Sequence, residues 1–294
     1  MSNETIPLSK PLNLKAYAPG EIILASEKYD GVPIRVDVLN GKAHAVTRQA
    51  KPVTSCDHLV EACWDMGPGT YVMEVQLPGR PFKESSGAVR RNEPNTQLVG
   101  RVFDFLPPNG YELDLDQRLA ELRRRYSDNP SPFVWPARQT LVAKAQLEQA
   151  RDLVSFLCAH CDIDNHPLLE GFILRSADER WSPGKRVPTY QKVLDEPTLD
   201  LKIVGFTEAH SAAGKRLRMV GGLIANYKAG TVGVGPGKLT HRERKALWED
   251  FWAGANVLPR IAQVKVKKDA SYDGLRQPTF QHWRDDKTEP NEET

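Results

Sequence analysis

The sequence predicts an α+β protein with a large N-terminal domain and a smaller C-terminal domain. The chain has 294 residues, which is long for one hydrophobic core and sufficient for two. Strand-like and helix-like segments alternate through the first two thirds, and a hinge-like stretch, Asp-Glu-Pro-Thr at 195–198, then precedes a strand-rich remainder. We therefore expect domains at 1–196 and 197–294.

Charge and hydropathy exclude several classes of protein. The 40 basic and 38 acidic residues give a formal net charge of +2, so a nucleic-acid surface would have to come from local patches. No apolar run approaches the length of a membrane span, and the N-terminus lacks a basic region followed by an apolar stretch. We expect a soluble, cytoplasmic protein.

Hydrophobic periodicity predicts the elements of the first domain. Asn40-Gly41 is typical of a hairpin turn, and Asp114 of a helix N-cap. Residues 79–97 are interpreted as a basic loop. The strands are expected at 21–25, 34–39, 43–47, 71–77, 99–106, 168–175 and 190–194, and the helices at 58–64, 114–126 and about 144–161.

The second domain has the pattern of a small β-barrel. Its strands are expected at 199–207, 218–227, 230–234 and 262–267, with one helix inserted at about 240–252. Strands with a single inserted helix in about a hundred residues are the parts of a barrel such as the OB fold.

The cysteines allow two interpretations. Cys158-Ala-His-Cys161, followed by His166, has the spacing of half a zinc site. The other pair, Cys56 and Cys63, lacks the spacing of a second half, and Cys161 continues a helical apolar pattern. We favour reduced thiols on a helix.

A lysine motif gives the first indication of chemistry. The apolar run 22–25 leads into Lys28-Tyr29-Asp30-Gly31. A lysine at a strand end beside a turn can be held rigidly and partly out of water, which makes its amine available for nucleophilic attack. The motif alone is equally typical of a charged hairpin end in which Gly31 turns the chain.

The order of the downstream motifs resolves this ambiguity. Nearly the whole chain resembles the covalent nucleotidyltransferase superfamily, and specifically the short ATP-dependent DNA ligases of bacteriophages. The quoted motifs are Lys-Tyr-Asp-Gly at 28–31, Thr-Arg-Gln-Ala-Lys at 47–51, Glu74 in its strand, Val-Phe-Asp-Phe-Leu at 102–106, Glu-Gly-Phe-Ile-Leu-Arg at 170–175, Lys192, and Trp-Arg-Asp-Asp-Lys at 283–287.

The resemblance implies a fold and an activity. The fold would be a nucleotidyltransferase (adenylation, ATP-grasp-like) domain with antiparallel sheets and helices, followed by a C-terminal OB-fold β-barrel. The activity would be ATP-dependent sealing of nicks in duplex DNA through a lysine-AMP intermediate and a DNA-adenylate, with Mg²⁺ or Mn²⁺. We expect a monomer that binds nicked double-stranded DNA, in the host-cell cytoplasm if the protein is encoded by a phage.

The resemblance also assigns the site residue by residue. The expected catalytic residues are Lys28 as the adenylated nucleophile, Asp30, Glu74 and Arg48. The expected nucleotide-binding residues are Ser26, Glu27, Lys28, Phe103 stacked on adenine, Glu170, Lys192, Arg284 and Lys287. The expected metal ligands are Glu170 and Glu74. The expected DNA-binding residues are Arg48, Lys51, Lys185, Arg186, Lys215, Arg216 and Arg218.

Two positions depart from the family pattern. Many such ligases have an arginine where this chain has Pro33, and Arg35 is the candidate to reach the same space. The fifth motif carries a second lysine where this chain has Leu194, and Lys202 is a weaker candidate because a solvent-facing position is expected for it.

Three alternatives stay open. An RNA ligase or an mRNA-capping guanylyltransferase also uses a lysine nucleophile, although the C-terminal motif is more similar to that of the DNA ligases. A non-catalytic nick-binding relative would keep the fold and lose turnover.

NAD⁺ is not expected as adenylate donor, because the extra N-terminal domain and zinc module of that class are absent from the sequence.

Overall fold

The computed structural model describes Ile6 and residues 8–161, 169–182, 184–194, 196–267 and 275–291. The chain separates into two compact units, Met1–Leu194 and Asp195–Thr294. The linker Asp195 and the zinc-site candidate His166 lie outside the described residues.

The N-terminal unit consists of two sheets and several helices. Its strands are β1 (Lys10–Pro11), β2 (Ile22–Tyr29), β3 (Val32–Leu39), β4 (Lys42–Thr47), β5 (Gly69–Gln76), β6 (Val99–Leu106), β7 (Val134–Pro136), β8 (Gln139–Ala143), β9 (Leu169–Ser176) and β10 (Tyr190–Leu194). Its α-helices are α1 (Asp57–Met66), α2 (Phe82–Val89), α3 (Leu115–Asp128), α4 (Lys144–Gln149) and α5 (Leu153–His160).

Both sheets are mixed and largely antiparallel. Sheet I has the strand order β1-β10-β9-β2-β8, and sheet II has the order β4-β3-β5-β6-β7. Only the β1–β10 and β6–β7 pairs described are parallel. The turn Asn40-Gly41 joins β3 to β4, with φ of 52° and 70°, as its sequence predicts for a hairpin.

Alternation along the strands of sheet II separates a core face from a polar face. Ile34 and Val36 of β3 join Met73 of β5 in a fully buried core that also contains Leu119 of α3. Because strand side chains alternate, residues such as Glu74 project to the other face. The core therefore supports a sheet whose opposite face is free to carry the site.

Helix α3 follows the sequence expectation closely. The Asp114 side chain accepts a hydrogen bond from the Gln117 N–H at 2.9 Å, and the Gln117 side chain accepts one from the Asp114 N–H at 3.1 Å. This reciprocal cap satisfies two N-terminal amides that would otherwise lack partners.

Two expectations for the N-terminal unit are wrong. The stretch 79–97 was expected as a loop but contains helix α2, whose Ala88 and Val89 are buried in the core. The single helix expected over about 144–161 is two helices, because the chain leaves the helical conformation at Ala150 and Asp152 caps α5. Tertiary burial outweighed weak helix propensity in the first case, and a capping aspartate started a new helix in the second.

The C-terminal unit contains one sheet and one α-helix among its described residues. The strands are β11 (Thr198–His210), β12 (Arg216–Tyr227), β13 (Gly230–Val234), β14 (Arg260–Lys267) and β15 (Arg276–Trp283), and the helix is α6 (His241–Trp252). The strand order is β13-β12-β11-β14-β15, all antiparallel. Strand β15 was not anticipated, because Pro278 lies inside it.

The expected closed barrel is not found among the described residues. A single isolated bridge, Gly235–Thr279, joins the two ends of the sheet. The sheet nevertheless surrounds one apolar core that includes Leu201, Leu223, Val264 and Phe280.

No helix in the described residues is long and apolar enough to cross a membrane. Cys158 lies on α5 and Cys161 ends that helix, and the structure has both as free thiols.

Candidate active site

Lys28 lies near the end of β2, opposite Gly171 of β9. The ladder shifts register between Lys28 and Tyr29, which places Glu170 in a bulge of β9. The Lys28 ammonium donates a hydrogen bond to Glu170 Oε2, and the two side chains are only 23% and 13% exposed. The bulge thus places the Glu170 carboxylate within hydrogen-bonding distance of Lys28.

Gly171 makes this geometry possible. Its φ is +144°, in a region that side-chain-bearing residues rarely adopt, and a Cβ there would collide with the Val193 carbonyl oxygen. The glycine therefore lets β9 pass close to β10 while Glu170 turns towards Lys28.

Glu74 on β5 joins the pair from sheet II. Burial raises the pKa of its carboxyl to about 8, and the negative charge of Glu170 adds to this rise. The positive charges of Lys28 and Arg48 oppose the rise. The Gly31 backbone N–H also opposes the rise in the Glu74 pKa. The structure therefore brings Lys28, Glu170, Glu74 and Arg48 into one electrostatically coupled group, which we call the lysine cluster.

Gly31 is needed for contact between its turn and β5. A Cβ at this position would lie 2.5 Å from the Val75 carbonyl oxygen and 2.9 Å from Glu74 Cγ. The glycine of the lysine motif thus brings the turn against Glu74. Asp30 lies half-buried in the same turn.

The register of sheet I aligns the other nucleotide-binding candidates. Ser26, Ile173 and Lys192 pair across three neighbouring strands, and Lys28, Gly171 and Leu194 form another row of this kind. Paired residues share a face of the sheet, so Ser26 and Lys192 lie on the face that carries Lys28. Leu194 occupies the row of Lys28 itself.

Phe103 lies half-buried beside Val72 of β5, in a small cluster with Ile6, Leu106 and Trp181. Val72 and Glu74 are two residues apart on one strand and therefore project from the same face. The aromatic ring expected to stack on adenine thus belongs to the polar face of sheet II.

Arg35 lies on this face as well, next to the departure at Pro33. Pro33 pairs with Glu74 and Arg35 with Val72 in the β3–β5 ladder. The Arg35 guanidinium is buried and donates from Nε to Asp37 at 2.9 Å, while its Nη1 has no partner in the described structure. Arg35 is therefore oriented by Asp37 and keeps one buried N–H group available.

Glu27 is a nucleotide-binding candidate that lies on the opposite face of sheet I from Lys28. It pairs with Phe172, whose ring belongs to the core on the opposite face of sheet I from Lys28. Burial raises the pKa of its carboxyl, and Arg101 and Arg138 oppose that shift. Strand alternation separates its side chain from that of its neighbour Lys28.

Arg48 and Lys51 line a cavity of about 530 Å³ beyond β4. Pro33 lines the same cavity, which connects it to the polar face of sheet II. The other DNA-binding candidates are exposed: Lys185 and Arg186 lie between β9 and β10, and Lys215, Arg216 and Arg218 lie at the β11–β12 hairpin of the C-terminal unit.

The two basic residues of the last motif are held together in the C-terminal unit. Arg284 donates to both oxygens of Asp200 at 3.1 and 3.0 Å, and Lys287 donates to the same carboxylate at 2.5 Å. Asp286 binds the other edge of the Arg284 guanidinium. Lys202, two residues beyond Asp200 on β11, is exposed as expected.

No protein-family model and no curated protein matches this sequence. Solved structures do match it. The structure named Pmar-Lig_PreS3 has a TM-score of 0.76 at 17% identity, covering 95% of this chain and 67% of its own. A Lig E DNA ligase has a TM-score of 0.70 at 18% identity, covering 96% and 99%. The ligase domain of M. tuberculosis LigD has a TM-score of 0.54 at 18% identity, covering 97% and 96%.

This chain has the fold of the ATP-dependent DNA ligases. The similarity covers both units, although sequence identity is low. The ligase fold therefore agrees with the order of motifs in the sequence, while the assignment of individual residues rests on the geometry above.

Within the ligase fold, a buried charge network was missed by sequence reasoning. Asp104 of β6 is fully buried and bonds Arg118 of α3 at 3.0 Å and Arg175 of β9 at 2.8 Å. Arg175 also pairs with Glu179. Burial alone would raise the pKa of Asp104, but the two arginines lower it overall. The network connects sheet I to sheet II.

Only part of this network had a signal in the sequence. Asp104 stands between two phenylalanines in a predicted strand, and Arg175 ends the motif that begins with Glu170. Arg118 has the pattern of an ordinary helix-surface arginine, because single-sequence periodicity does not show which strand lies beneath it. Asp200, the partner of Arg284 and Lys287, was missed for the same reason.

The carboxylates of the lysine cluster are the candidate cation ligands of the ligase fold. No group of three His, Cys, Asp or Glu side chains suited to a metal ion occurs in the part of the chain that the structure describes. Glu74 and Glu170 are nevertheless coupled, since Glu170 raises the pKa of Glu74. Two neighbouring carboxyl groups fit Mg²⁺, which usually takes one or two protein carboxylates and completes its shell with water and phosphate.

Proposed function

We propose that this protein is an ATP-dependent DNA ligase that seals nicks in duplex DNA. The observation that carries the proposal is the lysine cluster: Lys28 hydrogen-bonded to Glu170 and electrostatically coupled to Glu74, in a chain with the ligase fold. The Lig E structure with which this chain aligns was studied for DNA binding with a minimal scaffold, which supports DNA as the partner here.

Lys28 is proposed as the nucleophile of the first step. Its amine attacks the α-phosphorus of ATP, a P–N bond forms, and pyrophosphate leaves. The amine must lose a proton to do this, and Glu170 is the hydrogen-bonded acceptor beside it. Ser26 and Lys192 share the face of Lys28, which suits contacts to the nucleoside and to a phosphate. Phe103 offers a ring for the base.

Glu74 and Glu170 would hold the magnesium ion, which neutralises charge on the phosphate that is attacked. Cationic side chains of the protein would bind the other phosphate oxygens of ATP. Arg284 and Lys287 are proposed to orient the leaving pyrophosphate from the C-terminal unit, which requires them to exchange Asp200 for phosphate oxygens.

The next two steps join the DNA strands. The 5′-phosphate at the nick attacks the phosphorus of the lysine-bound AMP, the P–N bond breaks, and a DNA-adenylate forms. The 3′-hydroxyl then attacks, and AMP leaves. Arg48 is proposed to hold the 5′-phosphate, because a guanidinium can bind two oxygens at once. Asp30, in the turn beside Lys28, is proposed to position the 3′-hydroxyl.

The finer architecture belongs to the same proposal. The N-terminal unit would be the adenylation domain, and the C-terminal unit an OB-fold domain. The protein would act as a cytoplasmic monomer. Lys185, Arg186, Lys215, Arg216 and Arg218 would contact the DNA backbone without sequence preference.

A sealing assay tests the proposed function. Purified protein, ATP and Mg²⁺ are incubated with a nicked DNA duplex and, separately, with a nicked RNA duplex of the same sequence. We expect nicked DNA to be joined and nicked RNA to be joined poorly. Preferential joining of RNA would reassign the protein to the RNA ligases. Binding of nicked DNA without covalent attachment of AMP would make it a non-catalytic relative.

A further inference from the structure

Two arginines that the sequence analysis left within a basic loop line the same cavity as Arg48. The cavity has a volume of about 530 Å³ and no carboxylate among its lining residues. We call it the basic pocket, defined by its four cationic side chains, Arg48, Lys51, Arg90 and Arg91.

Arg90 and Arg91 are carried on a fixed backbone. Arg90 ends helix α2 and donates its N–H to Ser86 O at 3.3 Å, and Arg91 donates its N–H to Ala88 O at 3.3 Å. The carbonyl end of a helix carries partial negative charge, which favours cations there.

The far wall of the basic pocket is joined to this helix end. Thr54 Oγ1 donates to Asn92 O at 3.2 Å, and the buried Ser55 hydroxyl donates to Val89 O at 2.9 Å. These bonds hold the two sides of the pocket at a set separation, so the cationic side chains face a preformed space.

The charges of the basic pocket are not neutralised within the protein. Across the described ranges, none of its four cationic groups forms an ion pair with a carboxylate, and all four side chains belong to exposed residues. Many other exposed arginines of this unit are paired, as Arg124 is with Glu121 and Asp128. Like charges gathered around one cavity repel each other, so the pocket suits a ligand with several negative charges.

The position of the basic pocket indicates which strand it would bind. Pro33 lines the pocket and pairs with Glu74 of the lysine cluster in the β3–β5 ladder, so one end of the pocket adjoins the reacting groups. The phosphate that attacks there is the 5′-terminal one, and the phosphodiesters that follow it belong to the same strand. When Arg48 binds the 5′-terminal phosphate, the phosphodiesters that follow it in the same strand therefore lie close to the pocket.

We propose that Arg90 and Arg91, with Lys51, bind the phosphodiesters that follow the 5′-phosphate at the nick, so that the basic pocket anchors the 5′-phosphorylated strand. This rests on the ligase function proposed above. The contacts are to the backbone and carry no sequence preference.

A binding experiment on the full chain tests the proposal. The probe is a nicked duplex with a 5′-phosphate and a 3′-dideoxy end, which cannot be sealed. The variant is Arg90→Ala/Arg91→Ala. Its control is Arg123→Ala/Arg124→Ala, which removes the same charge from exposed side chains on α3 that pair with acids. We expect the pocket variant to bind the probe about tenfold more weakly than the wild type. The slope of the logarithm of the association constant against the logarithm of the salt concentration should fall in magnitude by about 0.9 for each phosphate that the variant no longer neutralises. The control should keep the wild-type slope.

Neutral methylphosphonate linkages identify the strand. Placed after the 5′-phosphate, they should weaken binding by the wild type and have no further effect on the pocket variant, because the partner charges are already gone. Placed in the strand that carries the 3′-dideoxy end, they should weaken DNA binding by both proteins equally. An unchanged salt slope in the variant, or equal losses from the 5′-strand linkages in both proteins, would overturn the proposal.

A separate readout distinguishes this proposal from the function on which it rests. The pocket variant should take up AMP from ATP at the wild-type rate, because the basic pocket is not needed for the first step. A wild type that takes up no AMP would refute the ligase function, while the binding experiment would still decide whether the pocket holds this strand.

Discussion

The Lys28 ammonium donates a hydrogen bond to Glu170 across the β2–β9 ladder, at the point where a bulge displaces Glu170 from the register. The pair joins the proposed nucleophile to its proposed proton acceptor. Its geometry follows from one glycine, Gly171, whose backbone conformation and close approach to Val193 exclude a side chain.

The first prediction concerns the carboxylate of this pair. Glu170→Gln keeps the shape of the side chain but removes the proton acceptor beside Lys28. We expect the rate of AMP transfer to the protein to fall by about 100-fold, within the range for loss of a general base. Single-turnover incorporation of label from α-labelled ATP measures this. A wild-type rate with unchanged thermal stability would exclude Glu170 from the first step.

The second prediction concerns the pH dependence of stability. The pKa of Glu74 is about 8 in the folded protein and ordinarily about 4.5, so the folded state binds more protons between these values. The free energy of unfolding should therefore fall as the pH rises, by up to roughly 1.4 kcal/mol per pH unit from this group. Glu74→Gln, which does not titrate, should lack this component.

Urea unfolding of wild type and Glu74→Gln at about pH 5 and about pH 8 checks this prediction. The stability of the wild type relative to the variant should fall from about pH 5 to about pH 8, because Glu74 ionises in the unfolded state while burial opposes its ionisation in the folded state. Parallel pH profiles for the two proteins would show that Glu74 ionises normally in the folded state.

The third prediction concerns Gly171. Gly171→Ala requires a side chain at φ of +144° and pushes a methyl group against the Val193 carbonyl, so we expect a loss of about 2 kcal/mol or more. Gly87→Ala is the matched control, because Gly87 lies within helix α2 with open space around it. Alanine favours helices, so this control should be neutral or slightly stabilising. Equal stability of the two variants in urea would contradict the structure around Glu170.

The fourth prediction concerns the buried network. Asp104→Asn leaves Arg118 and Arg175 with less negative charge in a fully buried setting, and we expect a loss of about 3–5 kcal/mol. Arg124→Ala, which breaks an exposed pair on the same helix as Arg118, should leave the unfolding midpoint unchanged. A midpoint for Asp104→Asn close to that of the wild type would mean that the network adds little stability.

Local patterns in the sequence predicted much of the fold because they depend on neighbouring residues. Strand β6 and strand β13 have the bounds that alternation indicated, and helix α3 begins at the Asp114 cap. Helix α2 was missed because Ser85 and Ser86 weaken its helical pattern, and their burial is decided by sheet II.

Four site candidates indicated by the order of motifs lie close together in the structure. Lys28, Glu74, Glu170 and Arg48 were named from the order of motifs, and the structure brings them together. The order of motifs does not show which distant side chains pair with each other, or which face of a strand a residue is on. Asp200 binds Arg284 from a strand more than eighty residues earlier, and Glu27, adjacent to Lys28 in sequence, faces away from it.

The most direct test of the central claim is covalent labelling of the protein by α-labelled ATP and Mg²⁺, comparing wild type, Lys28→Ala and the control Lys42→Ala, an exposed lysine on β4. The lysine cluster predicts label on the wild type and the control, none on Lys28→Ala, and release of the label when nicked duplex DNA is added. Absence of label from the wild type, or persistent labelling of Lys28→Ala, would contradict the assignment of Lys28 as the nucleophile.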